Sequence, residues 1–90
     1  MVGDYWYVYM VECSDGTIYT GITNNIEARI TKHNSGKGAK YTRGKTPVVL
    51  KAFWQYEIKS EAAKAEYAFK KLPREHKLKL INEKGINKME

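Results

Sequence analysis

Residues Tyr7 to His33 read Y-V-Y-M-V-E-C-S-D-G-T-I-Y-T-G-I-T-N-N-I-E-A-R-I-T-K-H, and the way this stretch folds decides the rest of the chain. Residues 5–12 alternate as a strand, with Trp6, Val8 and Met10 on one side and Tyr5, Tyr7, Tyr9 and Val11 on the other. Ser14-Asp15-Gly16 supplies a turn. Residues 17–22 form the return strand, with Ile18, Thr20 and Ile22 on one face and Thr17, Tyr19 and Gly21 on the other. Two hairpin registers compete. A two-residue Asp-Gly turn sets Tyr9 opposite Ile22 and puts Tyr9 and Tyr19 on opposite faces. A three-residue loop with Gly16 left-handed pairs Cys13 with Thr17, sets Tyr9 opposite Gly21 and Val11 opposite Tyr19, and places both tyrosines on one face. The second register also gathers Val8, Met10, Ile18 and Ile22 on the other face. A one-residue slip turns every side chain over, so the better segregation predicts the three-residue loop.

Downstream, residues 24–34 carry the marks of a helix. Asn24 stands in N-cap position with Glu27 three residues on, Ile26 and Ile30 form its buried side, and Arg29 and His33 share a face one turn apart. Residues 34–47 hold three glycines, a proline and no aliphatic side chain larger than alanine. A loop of this length is longer than a connection needs and invites a function. A third strand follows over 48–58, with Val48, Leu50, Ala52, Trp54, Tyr56 and Ile58 as its expected core face. Ser60 is the expected cap of a helix over 61–72, whose apolar stripe is Ala62, Ala65, Phe69 and Leu72. Pro73 opens a last helix ending at Gly85. The expected fold is α/β, a three-stranded, largely antiparallel sheet flanked by helices in the order β-β-α-β-α-α. Residues 1–84 make one domain and 85–90 a loose tail.

Ninety residues with seven tyrosines, two tryptophans and two phenylalanines suffice for one small core. No apolar run reaches the roughly 20 residues of a membrane span. The lone Cys13 cannot form an internal disulfide or a cysteine-rich zinc site. Together these point to a cytoplasmic protein. The net charge is +6 and unevenly spread: residues 24–59 carry eight basic and two acidic side chains, whereas residues 1–23 carry no Lys or Arg. A basic block of this kind attracts polyanions.

Taken singly, the polar residues have plain explanations. Tyr9 and Tyr19 suit any sheet, Arg29 and His33 could be an exposed helix pair, and the 34–47 loop could be a passive linker. Glu66 is less easily set aside. A carboxylate at the edge of a buried stripe costs desolvation unless it pairs, for which Lys70 stands one turn on, or binds a metal.

As a set, the residues resemble the GIY-YIG nuclease superfamily. The first motif reads Tyr7-Val8-Tyr9, with tyrosine in place of the usual glycine. The second reads Tyr19-Thr20-Gly21, with threonine in place of the central aliphatic. His33 to Gly44, H-N-S-G-K-G-A-K-Y-T-R-G, is similar to a segment of the small stand-alone bacterial (YhbQ-like) members. The resemblance implies catalytic roles for Tyr9, Tyr19, Arg29 and His33, with a tyrosine as general base and Tyr9 preferred. It implies that Glu66 holds one magnesium or manganese ion. It also implies that Lys32, Lys37, Lys40, Tyr41, Arg43 and Lys45 follow a nucleic-acid backbone, with Gly16, Gly21 and Asn24 structural. The expected function is a divalent-metal-dependent DNA endonuclease, RNA remaining open as substrate, directed by structure rather than sequence because no sequence-reading segment accompanies the domain. The alternative is a non-catalytic nucleic-acid-binding module on the same fold.

Overall fold

Gly16 decides the hairpin. In the computed structural model, which describes residues 5–84, it has φ +87°. Cys13 N–H donates to Thr17 O at 2.8 Å and Gly16 N–H to Cys13 O at 2.9 Å, which closes the three-residue loop. Tyr9 therefore lies opposite Gly21 and Val11 opposite Tyr19, the register predicted from side-chain segregation.

The elements are β1 (Trp6–Glu12), β2 (Ile18–Thr23), α1 (Ile26–Asn34), a 3-10 turn (Lys40–Thr42), β3 (Val49–Tyr56), α2 (Lys59–Lys70) and α3 (Arg74–Lys84). The sheet order is β2-β1-β3 and both pairings are antiparallel. The central strand buries four consecutive residues, Val8 to Val11, because both faces of the sheet are covered. On one face Tyr9, Val11, Cys13 and Val48 pack with Tyr19, Ile30, Leu50 and Phe53. On the other, Met10, Ile18, Ala52 and Ile81 pack with Trp54, Phe69, Leu78 and Leu80 of β3 and the last two helices.

That second buried face corrects one expectation, and a bulge explains it. Met10 pairs with Ala52 but Val11 with Leu50, so Lys51 is an extra residue in β3. The strict alternation expected from Val48 to Ile58 breaks there. Val48 and Leu50 turn to the tyrosine face, while Ala52 and Trp54 stay on the methionine face. Ile58 is exposed.

Two helix starts also differ. Asn25, not Asn24, caps α1: its backbone is extended and its Oδ1 accepts from Ala28 N–H at 3.1 Å. Thr23 is still paired with Tyr7 in the sheet, and its hydroxyl accepts from Asn25 N–H, so the chain enters the helix one residue later. Asn24 is exposed and caps nothing, and the capping box with Glu27 does not form. Ser60 does not cap α2, which begins at Lys59 with Ile58 in the cap position and no side-chain cap. Gly85 and the expected tail at 85–90 lie outside the described residues.

The 34–47 loop is pinned at both ends. The Asn34 side chain accepts from Val48 N–H at 2.7 Å and donates to Val48 O at 3.3 Å, standing in for a strand at its base. Lys45 O accepts from Ser14 N–H at 2.8 Å, which fastens the loop to the hairpin.

A Cβ on Gly16 would meet nothing within 4 Å, so the cost of Gly16→Ala is purely the positive φ. It is expected to destabilise the fold by about 1–2 kcal/mol, read from the urea midpoint; an unchanged midpoint would show that the loop relaxes to another register.

Candidate active site

The hairpin register brings Tyr9 against α1. Its hydroxyl is fully buried and contacts two side chains from successive turns of that helix. Arg29 Nε donates to it at 3.3 Å, and His33 Nε2 lies 2.8 Å away. Gly21 makes the room: a Cβ there would sit 2.5 Å from the Tyr9 oxygen. On the far side of the imidazole, His33 Nδ1 is 2.8 Å from Thr42 Oγ1, and the Thr42 hydroxyl donates to Ala39 O at 2.9 Å. That last bond sets the direction of the chain. A carbonyl can only accept, so the Thr42 proton points at Ala39. Thr42 must then accept from His33, which puts the proton on Nδ1. In a neutral imidazole Nε2 is left as acceptor, and Tyr9 donates to it.

The electrostatics agree. Burial first, and then the Arg29 charge, depress the His33 pKa below its ordinary 6.5, which favours the neutral ring. Burial pushes the Tyr9 phenol up to about 12, against the opposing effect of the Arg29 hydrogen bond, so it keeps its proton in the free protein. Arg29 is raised above the ordinary guanidinium value, first by its bond to Tyr9.

Tyr19 lies at the edge of this cluster, its ring 5.5 Å from the His33 ring and 6.3 Å from that of Tyr9. Tyr41, from the 3-10 turn, stacks on Tyr19 at 5.7 Å, and Lys45 sits 3.9 Å over the Tyr41 ring. From α2, Lys70 places its ammonium 6.0 Å over Tyr19 and 3.3 Å from Glu66 Oε2. Glu66 is mostly buried, with its side chain 18% exposed, and its charge helps to raise the Tyr9 pKa. Residues from β1, β2, α1, α2 and the loop thus share one locality at the β2 edge of the sheet.

A sequence model of the GIY-YIG catalytic domain matches residues 5–80. This chain belongs to the GIY-YIG family. A UPF0213 protein of Clostridium perfringens is 55% identical over 80 residues, spanning 89% of this chain and 86% of the relative. Another from Haloquadratum walsbyi is 49% identical over 82 residues, spanning 91% and 92%. The solution NMR structure of a UPF0213 protein from Bacillus halodurans superposes with a TM-score of 0.60 at 50% identity, covering 91% of this chain and 87% of that one. A solution structure from E. faecalis gives 0.60 at 46% identity, covering 87% and 83%. The names of these relatives state no substrate. The family is of nuclease type, whose substrates are nucleic acids. Within its second motif, Thr20 replaces an aliphatic residue, and its buried hydroxyl has no partner among the described residues.

The donor set can be tested against the metal that a GIY-YIG nuclease implies. Among the described residues no three or more His, Cys, Asp or Glu cluster. A structural or catalytic zinc site, which needs three or four such ligands, does not fit. One hard carboxylate does fit magnesium, which keeps several waters and takes phosphate oxygens. Glu66, mostly buried and close enough for its charge to act on Tyr9, is a carboxylate of that kind.

Of the expected backbone-following residues, Lys32, Lys37, Lys40, Tyr41 and Arg43 are exposed. Lys45 is half-buried and pairs with Asp15 at 3.5 Å. Two contributors escaped the sequence reading. Thr42 is completely buried. Gly38 must lack a side chain because a Cβ there would lie 2.4 Å from His33 Nδ1. The available signals were the T in K-Y-T-R and a second glycine two residues after Gly36, both hidden inside a loop read as uniformly basic.

Thr42→Val removes the acceptor for His33 Nδ1–H and leaves a buried donor unmatched. The expected cost is about 1–3 kcal/mol by urea unfolding, with loss of the single tautomer in imidazole 15N spectra; retention of both would contradict the chain. The depressed His33 pKa adds a pH dependence. Below the ordinary 6.5 the unfolded chain takes up the proton first, so stability is held above that pH and falls as pH drops through the window beneath it. His33→Gln should remove that fall.

Proposed function

We propose that this GIY-YIG protein is a divalent-metal-dependent endonuclease hydrolysing phosphodiester bonds in DNA, with RNA as the less favoured substrate. The observation that carries the reading is a tyrosine hydroxyl held between an arginine donor and a neutral imidazole acceptor, with Glu66 close by. Burial alone asks for one partner for the Tyr9 hydroxyl; here it has two, a cationic donor on one side and a neutral acceptor on the other.

Hydrolysis requires a water that loses its proton as it attacks phosphorus. A free Tyr9 cannot supply a standing tyrosinate, given its raised pKa. A concerted transfer avoids that state: the water proton passes to the Tyr9 oxygen while the Tyr9 proton passes to His33 Nε2. One proton crosses each of the two hydrogen bonds in that single step, and His33 ends as imidazolium with Nδ1–H still on Thr42. Arg29 leaves the Tyr9 oxygen for the scissile phosphate, where its planar fork suits two oxygens, and this opens the buried hydroxyl to the water. Tyr19 orients the water or the phosphate. Glu66 would hold one magnesium or manganese ion, which supplies positive charge against the phosphoryl oxygens as charge builds there. Lys32, Lys37, Lys40, Tyr41, Arg43 and Lys45 follow the backbone, and backbone contacts carry position rather than sequence. This supports a substrate chosen by shape, such as branched or flapped DNA in repair, recombination or processing.

The Glu66–Lys70 pair favours a second reading, a non-catalytic nucleic-acid-binding module, because the carboxylate already has a partner. Cleavage with magnesium over branched, flapped, single-stranded and duplex DNA separates the two. Arg29→Ala is expected to slow cleavage by about 10²–10³-fold, and Glu66→Ala to abolish the magnesium response. Cleavage by Glu66→Ala at the parent rate would remove Glu66 from the site. Binding that is insensitive to EDTA, with no cleavage of any substrate, would leave the binding module.

A further inference from the structure

The first turns of α3 lie outside the site described above, yet they close a small pocket beside it. The pocket measures about 190 Å³ and is lined by Thr17 and Ile18 of the hairpin, Tyr41 of the loop, and Arg74 and Lys77 of α3. Tyr41 is the connection: its ring stacks on Tyr19 at 5.7 Å on the site side, and it is 48% exposed. We propose that this pocket is a second phosphate-binding site, which takes a backbone phosphate of the same DNA strand that carries the scissile bond. The proposal rests on the nucleic-acid reading above and gives α3 a part in it.

Charge and geometry both point to an anion. Arg74 Nη1 donates to Gly16 O, which anchors the guanidinium at the hairpin tip. An arginine has five N–H donors in a fixed fork, so most remain for a ligand. Lys77 is half-buried and pairs with no carboxylate among the described residues. Its ammonium, at the pocket lining, is therefore available to an anion. The nearby Asp15 is committed elsewhere: it accepts from the Thr17 hydroxyl at 2.7 Å, from Thr17 N–H at 3.1 Å, and pairs with Lys45. Glu75, the other carboxylate at this end of α3, is exposed to solvent.

Size selects among anions. Pockets for drug-sized ligands run to about 300–1,000 Å³, so a site this small suits a phosphate group rather than a whole nucleotide. Spacing agrees with one strand serving both sites. A strand advances about 3.4 Å per nucleotide along the axis, and Tyr41, which lines the pocket, stacks directly on Tyr19 with ring centroids 5.7 Å apart. The pocket therefore falls roughly one or two nucleotides from a phosphate held beside Tyr19. Lys45 sits over the same Tyr41 ring.

The test is binding of a fluorescent single-stranded DNA oligonucleotide without magnesium, followed by anisotropy across a salt series. Lys77→Gln is expected to weaken binding several-fold and to lower the slope of log K against log salt by about 1. Lys77→Arg keeps the charge and should keep the parent slope. Lys79→Gln, an equal loss of charge on an exposed α3 position that does not line the pocket, should keep it too. Equal slopes for Lys77→Gln and Lys79→Gln would overturn the pocket while leaving the nucleic-acid reading intact. A parent protein that binds no DNA would overturn both.

Discussion

A buried tyrosine hydroxyl must find partners, and the way Tyr9 finds them organises this molecule. Its proton points to His33, the His33 proton to Thr42, and the Thr42 proton to the Ala39 carbonyl. The chain joins the central strand, the first helix and the long loop, and it ends on a group that can only accept. A buried polar network is stabilising when every member is satisfied and costly when one is not. That requirement explains two glycines. Gly21 yields space to the phenol and Gly38 to the imidazole, and a methyl group at either would push directly on the chain.

The same chain settles a chemical question that proximity alone leaves open. Tyrosine and histidine at 2.8 Å could share a proton either way. The terminal carbonyl imposes one direction, and burial with the Arg29 charge holds the imidazole neutral. The result is a neutral acceptor on one side of the tyrosine and a guanidinium on the other. Burial makes Tyr9 a poor base by itself, and the direction set by the carbonyl is what the proposed relay would use. The edge of β2 completes the arrangement, because Tyr19 faces the cluster there while α2 approaches with Glu66 and Lys70.

Much of this was legible in the sequence because it follows from local rules. Gly16 and the segregation of Val8, Met10, Ile18 and Ile22 are enough to choose the hairpin register, and the register puts Tyr9 and Tyr19 together. Spacing by four puts Arg29 and His33 on one helix face. What was not legible depends on pairings remote in sequence. The extra residue at Lys51 is visible only against Met10 and Val11, and it moves Val48 and Leu50 to the other face. Asn25 outranks Asn24 as a cap because Thr23 remains in the sheet. Thr42 reads as one more polar loop residue until His33 is placed beside it, and Lys77 as one more surface lysine until the hairpin closes over it.

The central claim is that the Tyr9 hydroxyl relays the proton of the attacking water, and Tyr9→Phe tests it most directly because only one oxygen is removed and the ring still fills the core. Single-turnover cleavage with magnesium should fall by about 10²-fold or more, in keeping with the worth of a positioned acid–base group, while the variant stays folded. Cleavage by Tyr9→Phe at the parent rate would contradict the account and return Tyr9 to packing alone.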